Sequence, residues 1–147
     1  MKWITRQHVK VDRVACPWLI RHFLDPDAEF LFAPEDQVLE IANREEAVPF
    51  DMPRHPELKF THHEGMCTFE VLIREFNLKD PALQRLAKIV HAADIQGEEH
   101  TVPEAPGLKA IADGFAALDI TDKERLAFGF PIYDALYAWC QKHAKGH

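Results

Sequence analysis

The chain has 147 residues, 47% of them hydrophobic and 10% aromatic, enough for one compact domain spanning 1–147 with its own core. Its 17 basic residues against 24 acidic ones give a formal charge of −7, with the acids spread from Asp12 to Asp134. A surface of that sign does not track phosphates, which argues against nucleic-acid binding by this chain alone. No apolar run approaches the roughly 20 residues that cross a bilayer, and the opening MKWITRQHVKVDR lacks the apolar middle of a signal peptide, so a cytoplasmic chain with no membrane partner is expected.

In chain order, KWITR and AEFLFA read as short strands, and VPFD as a third. Pro17 after Cys16 marks a helix start and Asp25-Pro26 an end, predicting a helix over roughly 17–24. Pro34-Glu35-Asp36 leads into a helix over QVLEIANREE, and Thr68 into one over FEVLIREFN. Asp80 caps a helix that Pro81 opens over ALQRLAKIVHAAD. Leu108, Ile111, Ala112, Phe115 and Leu118 keep the spacing of a core-facing helix. Thr121 and Glu124 form a capping-box pattern for the last helix, which Pro131 is expected to kink or divide. The fold class is α+β: a small sheet of short strands packed by five or six helices, mostly helical in the second half.

Three cysteines without CxxC spacing read as free thiols of a reducing compartment. No Walker loop or GxGxxG is present, which removes the common nucleotide folds. The stretch FTHHEGMCT gathers His62, His63, Glu64 and Cys67, and IVHAAD places His91 and Asp94 on one helical face. A buried imidazole and carboxylate must be paired or metal-bound. One histidine of the adjacent pair together with His91 and Asp94 makes a facial set for Fe²⁺, Mn²⁺ or Zn²⁺, with Glu64 or Cys67 as a further ligand. If the segment is extended, His62 and His63 point to opposite sides, and His63 is favoured because it shares a face with Thr61.

Cys16 reads as the N-cap of the Pro17 helix, where the dipole lowers a thiol pKa or holds an oxyanion, with Arg13 and Arg21 flanking it. Cys67 repeats the theme at the next helix start, with Glu70 reaching back. A Cys16–Cys67 redox pair is therefore an alternative to the metal reading, and a non-catalytic binding module is another. The last helix carries an aromatic stripe with Trp139, Tyr133 and Tyr137, which together with Cys140 reads as core. Whether the chain catalyses or only binds stays open at this point.

DRVACPWLIR, followed in order by FLDPDAEFLF, PFD, HHEGMCTFE and IVHAAD, resembles the C-terminal domain of the chromate-resistance protein ChrB family, from about Trp3 to Trp139. The resemblance implies a cytoplasmic bacterial protein tied to chromate resistance, with a small anion such as chromate as partner; a homodimer is one assembly left open. Longer members of that family carry an additional N-terminal region, and its lack here agrees with the acidic charge in arguing against a DNA-regulatory role. The family supplies no residue roles, so the site residues rest on the chemistry above.

Overall fold

A computed structural model describes residues 1–145. Strand β1 (Lys2–Arg6) carries three consecutive buried residues, Trp3, Ile4 and Thr5. Neighbouring side chains of a strand face opposite sides of a sheet, so a strand buried throughout needs cover on both faces. Trp3 enters the main core and Ile4 a smaller one. Helix α1 (Asp12–Leu19) continues as a π-helical turn over 20–24 and leads to β2 (Glu29–Ala33). A short 3₁₀ turn (Glu35–Gln37) and α2 (Val38–Glu45) then lead to β3 (Val48–Pro49).

The sheet order is β2-β1-β3, and both pairings are parallel, with Trp3 opposite Phe30 on one side and Val48 on the other. Crossovers between parallel strands are right-handed. Because β1 to β2 steps one way and β2 to β3 steps back across β1, α1 and α2 must lie on opposite faces, which is why Ile4 packs with Val38 and Ala42 of α2. The remaining helices, α3 (Thr68–Glu75), α4 (Pro81–Asp94), α5 (Ala105–Ala117) and α6 (Asp122–Lys145), gather in the second half, with α4 packed on α5 and α6 and α6 packed on α1. The result is the expected α+β class, a small sheet with six helices. No helix among the described residues is long and apolar enough to cross a membrane.

Two expectations change. The first helix begins at Asp12 and holds Pro17 inside it. The Val11 carbonyl accepts the amides of Val14 and Ala15, so the helix is closed before Pro17 is reached. Its buried residues Val14, Ala15, Trp18 and Leu19 belong to the main core, which outweighs one missing backbone bond. Likewise α6 is not divided at Pro131, because tertiary bonds hold both of its halves. Asp122 accepts the amides of His8 and Val9, Tyr133 donates to the Val11 carbonyl, and Asp134 accepts from Trp18 Nε1. The caps read from sequence are present: Asp80 accepts from the Ala82 amide, and Thr121 and Glu124 exchange bonds.

The α1–α6 contact depends on Gly129, where an added Cβ would stand 2.7 Å from Val14 Cγ1. Valine has few rotamers to retreat into. Gly129→Ala is expected to lower stability by about 1–3 kcal/mol in urea denaturation, and Val14→Ala in the same chain to recover part of that loss. Strictly additive effects would show that the helices separate rather than clash.

Candidate metal centre

In an open parallel sheet, ligands bind beyond the carboxyl ends of adjacent strands whose connections leave in opposite directions. Here that point lies between β1 and β3, and two aspartates occupy it. Asp12 sits in the first turn of α1, in the connection leaving β1, and Asp51 lies two residues beyond the end of β3. Asp51 takes φ of 52°, a left-handed conformation that aspartate tolerates better than most residues. Its amide donates to the Phe60 carbonyl, fixing the loop that returns toward α3.

Both carboxylates are buried, at 1% and 3% exposure. Asp12 accepts the amides of Thr68 at 2.8 Å and Phe69 at 3.1 Å, so a side chain from α1 caps the N-terminus of α3. It also accepts the Cys16 thiol at 3.3 Å. Asp51 accepts the Thr68 hydroxyl at 2.8 Å and lies 3.5 Å from both Arg6 and Arg13. Asp94, the last residue of α4, supplies a third carboxylate.

His62 stands between the three. Its Nε2 is 3.4 Å from Asp12 Oδ2, 3.3 Å from Asp51 Oδ1 and 3.2 Å from Asp94 Oδ2, and its side chain is 30% exposed. Donor atoms around a divalent ion at about 2.1 Å stand about 3.0–3.5 Å apart, so Nε2 has metal-ligand spacing to all three carboxylates. The Asp12, His62 and Asp94 donor atoms all lie within 4.8 Å of one another. An O-rich set with one imidazole fits Mn²⁺ or Fe²⁺.

The electrostatics carry the mark of crowded carboxylates. Burial, then the charges of Asp94 and Asp51, push Asp12 up to about 7. Burial also presses Asp51 upward, but hydrogen bonding and charge from His62, the Thr68 hydroxyl and Arg6 hold it below the ordinary carboxylate value. Hydrogen bonding to Asp12, Asp51 and Asp94 pushes His62 up to about 12. The ring is thus a cation that any bound metal must displace a proton from.

The sequence-predicted residues are distributed differently from the expectation. His62, not His63, faces the carboxylates; His63 Nε2 meets the Leu58 carbonyl at 2.7 Å. Only one of the pair joins the carboxylates, as alternation implies, but the choice of His63 is overturned: His63 pairs across a sharp turn with Met66, with positive φ at Glu64 and Gly65. Glu64 points outward to Arg74 at 3.0 Å. His91 and Asp94, read as one site, separate: His91 Nδ1 meets Glu70 at 2.6 Å, Nε2 meets Glu98 at 3.1 Å, and Cys67 completes that second group.

The Cys16 reading is also corrected. Cys16 is inside α1 rather than at its cap, and burial followed by the Asp12 and Asp51 charges raises its pKa well above the usual thiol value. Arg13 donates to the carbonyls of Arg6 and Gln7, while Arg21 donates to the Ala28 carbonyl and lies over the Phe30 and Phe130 rings. Cys16, Arg13 and Arg21 therefore do not converge on an anion. Cys67 is the N-cap of α3 as expected, its amide held by Glu70, but burial first and then Asp12 push its thiol upward too. All three cysteines are free and buried.

Asp12, Asp51, Glu70 and Glu98 are the site residues that sequence reasoning did not single out as ligands. Asp51 had a signal, its place at the carboxyl end of a strand. Asp12 was hidden by a helix start placed at Pro17, four residues beyond Arg13.

Fold and site together define a small parallel-sheet domain with a carboxylate–histidine centre at the switch point of the sheet. Residues 3–140 match the family model described as ChrB, C-terminal domain, and the chain belongs to that family. Protein ChrB of Cupriavidus metallidurans is 40% identical over 114 residues, covering 77% of this chain and 32% of that protein. The chain thus spans about a third of the length of the curated relative it matches. No solved structure matches it.

Proposed function

We propose that this chain is a divalent-cation-binding domain acting in chromate sensing or detoxification, with the ion held by Asp12, His62 and Asp94 and with Asp51 alongside. The observation that carries this reading is the approach of three carboxylates, from three separate parts of the chain, to one imidazole nitrogen at 3.2–3.4 Å. The family supplies the chromate connection. A bound Mn²⁺ or Fe²⁺ would supply positive charge and open coordination positions for a small oxyanion.

The chain's own residues do the rest. Asp51 is tied to Arg6 and Arg13, so part of the negative charge is already balanced before an ion arrives. The Thr68 and Phe69 amides orient Asp12, and Asp94 and His62 retain the solvent exposure through which an ion can enter. An oxyanion is repelled by three carboxylates alone, so its binding is expected only after the cation is present.

The test is Mn²⁺ titration followed by electron paramagnetic resonance, with protein lacking a histidine tag. Near-stoichiometric binding is expected, falling at least tenfold in affinity in Asp94→Asn, whose carboxylate contacts His62 without capping a helix. Chromate or molybdate binding is expected by calorimetry in the Mn²⁺-loaded protein and not in the metal-free one. Mn²⁺ affinity equal in wild type and Asp94→Asn would leave the cluster a structural ion-pair network.

A further inference from the structure

We propose that Cys67, Glu70 and His91 form a second cation site, separate from the carboxylate centre, which takes a softer divalent ion such as Zn²⁺ or Co²⁺ through the Cys67 thiolate. It shares no ligand with the first centre and stands whether or not that centre binds metal.

The three donor atoms lie within 4.8 Å of one another and come from the cap of α3, its first turn and the last turn of α4. The backbone holds two of them in fixed relation, because Glu70 Oε1 accepts the Cys67 amide at 3.0 Å while meeting His91 Nδ1 at 2.6 Å. On the far side of the ring, His91 Nε2 meets Glu98 Oε2 at 3.1 Å. Without an ion both ring nitrogens are paired to carboxylates; an ion that takes Glu70 and Nδ1 leaves the Nε2 proton donating to Glu98, the arrangement that orients histidine ligands in metalloproteins. Glu98 is thus a positioning residue, and Nδ1 is the ligand atom.

A Glu70–His91 ion pair alone would need no thiol beside it. Cys67 is fully buried, whereas the His91 and Glu98 side chains are 20% and 44% exposed, so the site opens to solvent on the imidazole side. On binding, the Cys67 proton and the Nδ1 proton that His91 shares with Glu70 both leave to solvent, and the sulfur joins the ion as thiolate beside Nδ1. Thiolate and Glu70 together then carry a charge of −2, which matches a divalent ion. Sulfur, nitrogen and oxygen donors with one position free suit Zn²⁺ or Co²⁺, in contrast to the oxygen-rich first centre.

Co²⁺ titration under reducing conditions tests this. A thiolate-to-cobalt charge-transfer band in the near ultraviolet is expected in wild type and in Asp94→Asn, and is expected to vanish in Cys67→Ser, which retains a capping side chain. Glu98→Gln should keep the band while weakening Co²⁺ affinity about 10- to 100-fold. X-ray absorption of the Zn²⁺-loaded wild type, which needs no variant to fold, should show a sulfur neighbour at about 2.3 Å. Absence of the band in wild type, its persistence in Cys67→Ser, or a shell of nitrogen and oxygen alone would overturn the proposal. Loss of Mn²⁺ binding without loss of this band would instead strike only the first centre.

Discussion

Asp12→Ala is expected to lower the stability of the metal-free protein by about 3 kcal/mol, a fall of roughly 6–12 °C in melting midpoint for a chain of this size. The side chain is 1% exposed and accepts two backbone amides of α3 and the Cys16 thiol. Alanine leaves those buried donors without an acceptor, each worth about 1–3 kcal/mol. Part of that loss is offset, because removing a carboxylate also ends its repulsion with Asp94 and Asp51, the same repulsion that helps raise its pKa to about 7. Asp12→Asn keeps an acceptor oxygen and should lose about half as much stability while still losing Mn²⁺ affinity. The pair of variants separates the cap from the ligand in one denaturation series. A loss under about 1 kcal/mol for Asp12→Ala would mean that α3 is capped adequately without it.

The second large effect is a dependence on pH that reverses when metal binds. His62 is surrounded by Asp12, Asp51 and Asp94, and its folded pKa lies at about 12 against an ordinary 6.5. A raised histidine contributes all of its stabilisation below its unfolded value and loses it as pH climbs toward the folded one. Asp12, raised from 3.8 to about 7, acts in the same sense over a lower window, since its folded carboxyl holds a proton that the unfolded one releases. Asp51 is shifted the other way and acts only near and below its ordinary 3.8. Metal-free protein should therefore lose stability steadily from about pH 4 to pH 10.

In His62→Gln the decline above pH 7 should flatten, and the gap between wild type and variant should close by up to about 1.4 kcal/mol per pH unit. Mn²⁺ affinity should instead rise with pH, because an entering ion expels the His62 proton. Denaturation midpoints and Mn²⁺ titrations at pH 6, 7, 8 and 9 read both slopes. A gap that stays constant over that range would show that His62 holds its proton no more tightly in the metal-free fold than in the unfolded chain.

How far the sequence could lead is clearest at α3. The Cys67 cap and the Glu70 that reaches back to it follow from local spacing, and both are present. That Asp12 also caps this helix, from 56 residues away, depends on α1 packing against α3, which no local pattern encodes. The same division holds for the histidines. The FTHHE and HAAD segments carry the chemistry, yet which imidazole meets which carboxylate is decided by the positive-φ turn at Glu64 and Gly65 and by the rotation of α4. The strands, the capped helices and the α+β class were readable because apolar patterning and cap residues act over a few positions. Asp51 and Glu98 were not, because a carboxylate in a loop looks the same in sequence whether solvent or an imidazole faces it.

The bonds that join α6 to the first residues of the chain also govern when the fold can complete itself. Asp122 holds the amides of His8 and Val9, Tyr133 the Val11 carbonyl and Asp134 the Trp18 indole, across separations of 113–122 residues. During synthesis β1 and α1 leave the ribosome before α6, and they wait while the intervening residues are made. Trp18, 1% exposed once folded, has its apolar surface uncovered for that interval. A chain ending before residue 122 is expected to leave the α6-facing side of Trp18 uncovered.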